Sequence, residues 1–107
     1  MLNIALCCSA AMSTSLLVNK MIDEANKQGI QIHIWAKGVN EIEAETKDVD
    51  VILIAPQVKY AKKQIEKRVS PIPVIEISMK DYGLMNGKNI FNNIIIDIFI
   101  KNNFSLI

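Results

Sequence analysis

Five apolar residues, Val51-Ile52-Leu53-Ile54-Ala55, run without a break between Asp50 and Pro56. A stretch so short, so rich in β-branched residues and with no polar face is expected as a strand covered on both sides. That is the mark of a central strand in a parallel sheet. The start of the chain, "LNIALC", reads the same way and is expected to end near Cys7. Two such strands require an apolar layer above and below them, and this requirement sets the reading of everything between.

The intervening segments supply those layers. From Ser13 onward Leu17, Met21 and Ala25 recur every four residues, flanked by Leu16, Val18 and Ile22, which predicts a helix with one broad apolar face. Lys20, Asp23, Glu24 and Lys27 are assigned to its wet side, and Gly29 to the residue after its C-cap. "IQIHIWA" alternates, with Ile30, Ile32 and Ile34 on one side and Gln31, His33 and Trp35 on the other. It predicts a strand with one face only partly covered. "VNEIEAETK" is a short, weak helix candidate. After Pro56, "QVKYAKKQIEKRV" places Val58, Ala61, Ile65 and Val69 on one helical face. "PVIEIS" predicts a shorter fourth strand, and Phe91, Ile94, Ile95, Ile98 and Phe99 are spaced for a last helix.

The order βαβαβαβα implies an α/β fold with a parallel sheet and helices on both faces. The first and third strands look doubly buried, and the second and fourth carry polar residues that suit edges. A four-stranded parallel sheet ordered 2-1-3-4 satisfies both conditions. In such a sheet the chain reverses direction between strands 1 and 3, and ligands bind beyond the strand C-termini at that point. Two segments fall there: "CCSAAMSTS" after strand 1 and "APQVKY" after strand 3.

Composition narrows the chemistry. The formal net charge is +1, which gives no global reason to expect nucleic acid or an anionic surface as partner. The apolar windows fall short of the roughly 20 residues that a spanning helix needs, and "NIIIDIFIK" is broken by Asp97. "MLNIALCC" lacks the basic start of a leader, so a cytoplasmic protein is expected. A disulfide between adjacent Cys7 and Cys8 would close a strained eight-membered ring. One histidine, His33, and no second cysteine pair leave no tetrahedral metal site, so no metal and no cofactor is expected. The cysteines are then core filler or a reactive thiol.

The loop from Cys8 to the next helix decides between these. Ser9, Ala10 and Ala11 are small enough to let backbone N–H groups turn inward, and with the helix dipole they form a cradle for a phosphate-sized anion. Met12 belongs to the same phosphate-binding loop, while Ser13, Thr14 and Ser15 can cap the helix and donate hydroxyl hydrogen bonds to phosphate oxygens. The same field favours a thiolate at Cys8. No Gly-Lys-Ser/Thr follows, which disfavours a nucleotide. Low-molecular-weight tyrosine phosphatases share this architecture, with cysteine, five residues, arginine, then serine or threonine. Here Thr14 stands at the arginine position, and no Asp-Pro pair offers a general acid. A loop that accepts a phosphoryl group without these two hydrolyses it slowly, which suits a relay.

At this point the sequence resembles a known family. "CSAAMSTSLLV", from Cys8 to Val18, is similar to the phosphorylation segment of the IIB component of lactose/cellobiose (chitobiose) sugar phosphotransferase systems. "DVILIAPQVKY" and "DYGLMNG" support it. The resemblance implies one domain over residues 1–103 with a tail at 104–107, monomeric when isolated. It implies that Cys8 takes a phosphoryl group from a phosphohistidine of the IIA component and passes it to a sugar held by the membrane component IIC. The backbone from Ser9 to Ser15 would be the cradle, and Gln57, Tyr60 and Tyr82 candidate partner contacts. Ala11 and Ala55 stand where the family usually has glycine; a positive φ there would cost alanine about 1 kcal/mol. The alternatives are a phosphatase- or arsenate-reductase-like cysteine enzyme and a non-catalytic anion-binding regulator. His33 reads as a solvated strand residue, and Lys59, Lys62, Lys63, Lys67 and Arg68 as the wet side of a helix or, alternatively, a face that steers acidic partners. The sugar is not legible.

Overall fold

The computed structural model describes residues 1–9, 15–42 and 47–101, the last three in backbone only. Its strands are β1 (Leu2–Cys8), β2 (Ile32–Gly38), β3 (Val51–Ile54) and β4 (Val74–Glu76). They form one sheet in the order β2-β1-β3-β4, and every pairing is parallel. The expected order, the central β1 and β3 and the edge positions of β2 and β4 are therefore all present. All four residues of β3 are buried, as a strand covered on both faces must be.

The helices are α1 (Ser15–Lys27), α2 (Lys62–Val69), α3 (Met79–Gly83) and α4 (Gly87–Lys101). One face of the sheet presents Ile4, Leu6, Val51 and Leu53 to Leu17 and Met21 of α1 and to Ile90 and Ile94 of α4. The other presents Ala5, Cys7, Ile52 and Ile54 to Val58, Ala61, Ile65 and Val69. The strand period of two divides these sets, and the helical spacing of three and four collects their partners.

Helix α1 ends as its sequence predicts. Gly29 has φ +72, the Gly29 N–H donates to the Asn26 carbonyl at 3.1 Å, and the Ile30 N–H donates to the Ala25 carbonyl at 2.9 Å. This paired closure needs a residue in the left-handed region, which glycine adopts without a Cβ clash. Glycine is used differently at Gly87, the first residue of α4. A Cβ there would lie 2.8 Å from the backbone carbon of Lys20, so the two helices meet at a distance only glycine allows. Asn86 caps α4 by accepting from the Asn89 N–H at 3.0 Å.

Four expectations are corrected. The segment after Pro56 is not one helix: a 3-10 turn (Pro56–Ala61) precedes α2, with Val58 off helical geometry at φ −119, ψ 20. The tighter turn brings positions three apart into line, so Val58 and Ala61 are both buried at its base. Glu24 is not on the wet side of α1 but 9% exposed, its carboxylate accepting from Gln28 Nε2 at 2.8 Å. Gln28 Nε2 also lies 2.8 Å from Asn92 Oδ1, joining α1 to α4. Helix α3 was not anticipated; Ser78 caps it, accepting from the Asp81 N–H at 3.1 Å. Finally, β1 runs one residue further than expected, through Cys8. Of the weak helix candidate around residue 42, Val39 to Ile42 form turns and residues 43–46 lie outside the described residues.

Candidate functional site

The site lies where the sheet changes winding. Strand β1 ends at Cys8, paired to Gly38 of β2, while its pairing to β3 ends one residue earlier, at Cys7 and Ile54. The Ala55 N–H then donates to the Cys7 carbonyl at 2.9 Å, tying the start of the next turn to the strand end. Cys8 is therefore held on the β2 side and sits at the mouth of the gap that opens between β1 and β3. The reason it belongs to the strand is this pairing: Gly38 extends β2 far enough to keep Cys8 in register.

Both cysteines are buried, and neither is in a disulfide. Cys7 belongs to the apolar layer beneath the 3-10 turn, and burial, with the charge of Cys8 adding to it, pushes its thiol up to about 11. At neutral pH Cys7 is a thiol, a poor nucleophile. Cys8, 1% exposed and part of the same apolar layer, lies at the very end of the strand, with Sγ 3.9 Å from the Lys37 carbonyl oxygen. Ser9 follows, exposed, and Ser15 opens α1, also exposed. The other cradle residues, Ala10, Ala11, Met12, Ser13 and Thr14, lie outside the described residues.

The remaining candidates fall at the same end of the sheet. Gln57 and Tyr60 are on the 3-10 turn directly after β3, both exposed. Tyr82 is on α3, which follows β4, and packs half-buried against both apolar layers. Ala55 has φ −67 and ψ 149, ordinary extended backbone, so alanine in place of glycine carries no strain there. His33 is exposed on β2, its ring centroid 4.9 Å from that of Trp35. Sequence reasoning passed over Lys37 and Gly38, which flank Cys8 across the ladder. The cue was a lysine and a glycine at the end of an alternating strand, where a lost side chain marks a close approach. A Cβ on Gly38 would lie 3.3 Å from Glu41 Oε1 and 4.0 Å from the Cys8 carbonyl oxygen. Among the described residues there is no group of three or more His, Cys, Asp or Glu able to hold a metal ion, and no helix long and apolar enough to cross a membrane.

Fold and site together define a small open α/β domain with a thiol at the head of a strand-to-helix loop. The family model for "PTS system, Lactose/Cellobiose specific IIB subunit" matches residues 3–93. The oligo-beta-mannoside-specific EIIB component of Bacillus subtilis is 38% identical over 93 residues, covering 85% of this chain and 90% of that protein. The cellobiose-specific EIIB component of Lactococcus lactis is 38% identical over 94 residues, covering 81% and 87%. The solution structure of the cellobiose-specific IIB component of Borrelia burgdorferi superposes with a TM-score of 0.74 at 36% identity, over 99% of this chain and 96% of that one. The chain belongs to the lactose/cellobiose-specific IIB family of sugar phosphotransferase systems.

Proposed function

We propose that this IIB component carries a phosphoryl group on Cys8. In the first half-reaction the Cys8 thiolate attacks the phosphorus of a phosphohistidine on a IIA protein; the S–P bond forms as the N–P bond breaks and the imidazole leaves. In the second, a hydroxyl of a sugar held by the membrane component IIC attacks that phosphorus. The O–P bond forms with loss of the hydroxyl proton, the S–P bond breaks, and the thiolate is regenerated. The carrier works at the cytoplasmic face, as a monomeric domain of residues 1–103, with the loop from Ser9 to Ser15 receiving the phosphoryl oxygens and Gln57, Tyr60 and Tyr82 meeting partners.

The observation that carries this reading is the position of Cys8, the last residue of β1 at the point where the sheet reverses, ahead of a helix N-terminus. Its neighbour Cys7 packs beneath the 3-10 turn, and burial pushes its thiol up to about 11, which disfavours it as the nucleophile at neutral pH. Thr14 in place of an arginine argues for a relay rather than a phosphatase. The sugar is a β-linked disaccharide of the cellobiose, chitobiose or lactose type. Relatives at the same 38% identity are specific for oligo-beta-mannoside, galactose and cellobiose, so similarity does not select among them.

The test is phosphorylation by a phosphorylated IIA donor, with the label located by mass spectrometry. Wild type and Cys7→Ser are expected to carry one phosphoryl group on Cys8, and Cys8→Ser none. Label lost in Cys7→Ser and retained in Cys8→Ser would overturn the assignment. Rapid turnover of a simple aryl phosphate would favour the phosphatase-like enzyme instead.

A further inference from the structure

The outer face of α2 carries a charge pattern that phosphoryl transfer on Cys8 does not use. Five of the chain's 12 basic residues, Lys59, Lys62, Lys63, Lys67 and Arg68, fall within residues 59–68, beside a single acid, Glu66. The buried side of this segment is Val58, Ala61, Ile65 and Val69. Lys63 and Lys67 are each offset by two residues from that row, about 200° around the helix, and so point straight away from the core. Lys59, at the same spacing in the 3-10 turn, is exposed as well. Among the described residues no ion pair engages Lys59, Lys62, Lys63 or Lys67. Tyr60, at the site end of the stripe, is 79% exposed.

We infer that this lysine face, with Tyr60 at its head, docks the domain on an anionic phospholipid surface. A net charge of +1 does not oppose this, because the field near a surface is set within about 10 Å at ordinary salt, and there four lysines outweigh Glu66. Composition separates a bilayer from an acidic protein. Protein interfaces are depleted in lysine at their core, whereas lysine ammonium groups keep their hydration at a headgroup layer and act there as diffuse charge. A tyrosine beside them suits the same boundary, its ring in the apolar zone and its hydroxyl in water.

A single basic face without an acyl chain or an inserted helix gives weak, reversible attachment. That is the behaviour required of a carrier that must leave the membrane side to meet its donor. Because the strand ends carrying Cys8 lie at the Tyr60 end of this face, a domain resting on α2 opens its site sideways, toward a protein embedded in the same bilayer. The inference rests on the phosphocarrier reading for its purpose but not for its test.

Flotation of the full chain with phosphatidylcholine vesicles, with and without phosphatidylglycerol, measures the attachment. Binding is expected only with phosphatidylglycerol and is expected to weaken steeply with salt. The triple variant Lys59→Glu, Lys63→Glu, Lys67→Glu should lose binding by about tenfold or more. Lys20→Glu, Lys27→Glu, Lys88→Glu, with the same charge change on α1 and α4, should keep most of it. Circular dichroism checks that both fold. Cys8→Ser should bind vesicles like wild type, so failure of the phosphocarrier reading and failure of this one are separable. No binding at low salt, equal binding to phosphatidylcholine alone, or equal loss in both triple variants would overturn the inference. So would a variant that binds vesicles normally but accepts phosphoryl groups slowly from soluble IIA, which would make the face a site for an acidic protein.

Discussion

The two faces of the sheet are built differently. Toward α1 and α4 the strands contribute Ile4, Leu6, Val51 and Leu53, and the helices answer with Leu17, Met21, Ile90 and Ile94. Toward the 3-10 turn and α2, β1 contributes only Ala5, Cys7 and Cys8 beside the larger Ile52 and Ile54 of β3. The first face buries large aliphatic groups throughout. The second is thin along β1, and the 3-10 turn packs directly on that strand. Burial energy is concentrated on one side, and on the other, volume is given up so that backbone can close over the end that carries Cys8.

The sharpest way to break this division is to damage each face and read both stability and phosphoryl acceptance. Phe91→Ala, at a fully buried position of α4, should cost about 3–5 kcal/mol in urea unfolding. Its folded fraction should still accept phosphoryl groups at the wild-type rate. Cys8→Ser should do the reverse, losing acceptance completely with little change in the unfolding midpoint. If Phe91→Ala slowed acceptance per folded molecule, the faces would not be separable.

Alkaline pH probes the thin face alone. The Cys7 thiol titrates near 11 in the folded chain against an ordinary 9.0. Below about pH 9 both states hold the proton and the group contributes nothing. Between about 9 and 11 the unfolded chain has lost its proton while the folded chain keeps it, so stability falls as pH rises, by about 2–3 kcal/mol in all. Cys7→Ala should remove that slope, seen by comparing urea midpoints of both proteins across this range. An unchanged slope would mean that Cys7 is less enclosed than the thin face requires.

Smaller effects sharpen the thick face. Gly87→Ala forces a Cβ to within 2.8 Å of the Lys20 backbone and should cost about 1–3 kcal/mol as α4 moves off α1. Gly29→Ala meets no neighbour but must hold φ +72, and thermal unfolding should show a loss of about 1 kcal/mol. A Gly29 variant as costly as the Gly87 one would mean that helix closure, not helix contact, dominates this side.

Most of the architecture was legible because it follows from polarity alone. The unbroken run at Val51 and the alternation at Ile32 and Ile34 state how many faces each strand buries, and sheet order follows. What escaped depends on neighbours distant in sequence. Glu24 reads as a surface residue until Gln28 and Asn92 supply its surroundings. The break at Val58 comes from packing a short segment against β1, which helical spacing cannot register. Helix α3 had a local cue, the Ser78–Asp81 capping spacing, in a segment too short to show periodicity. At the site, Cys8 was identified by its place before small residues and a helix start. That it remains inside the strand depends on Gly38, thirty positions further along the chain in the β2 ladder, and no pattern around Cys8 announces it.

That pairing ties the chemistry to the rim of the molecule. Strand β2 has a neighbour on one side only, and edge elements are the first to open in native-state fluctuations. The residue proposed as nucleophile thus takes its position from an edge β-strand, paired on one side only, not from the buried β3. Exchange of amide hydrogens along β2, and at Gly38 above all, becomes a clock for how often Cys8 is released. Whatever grips that edge, whether donor or acceptor protein, would steady the sulfur without touching it.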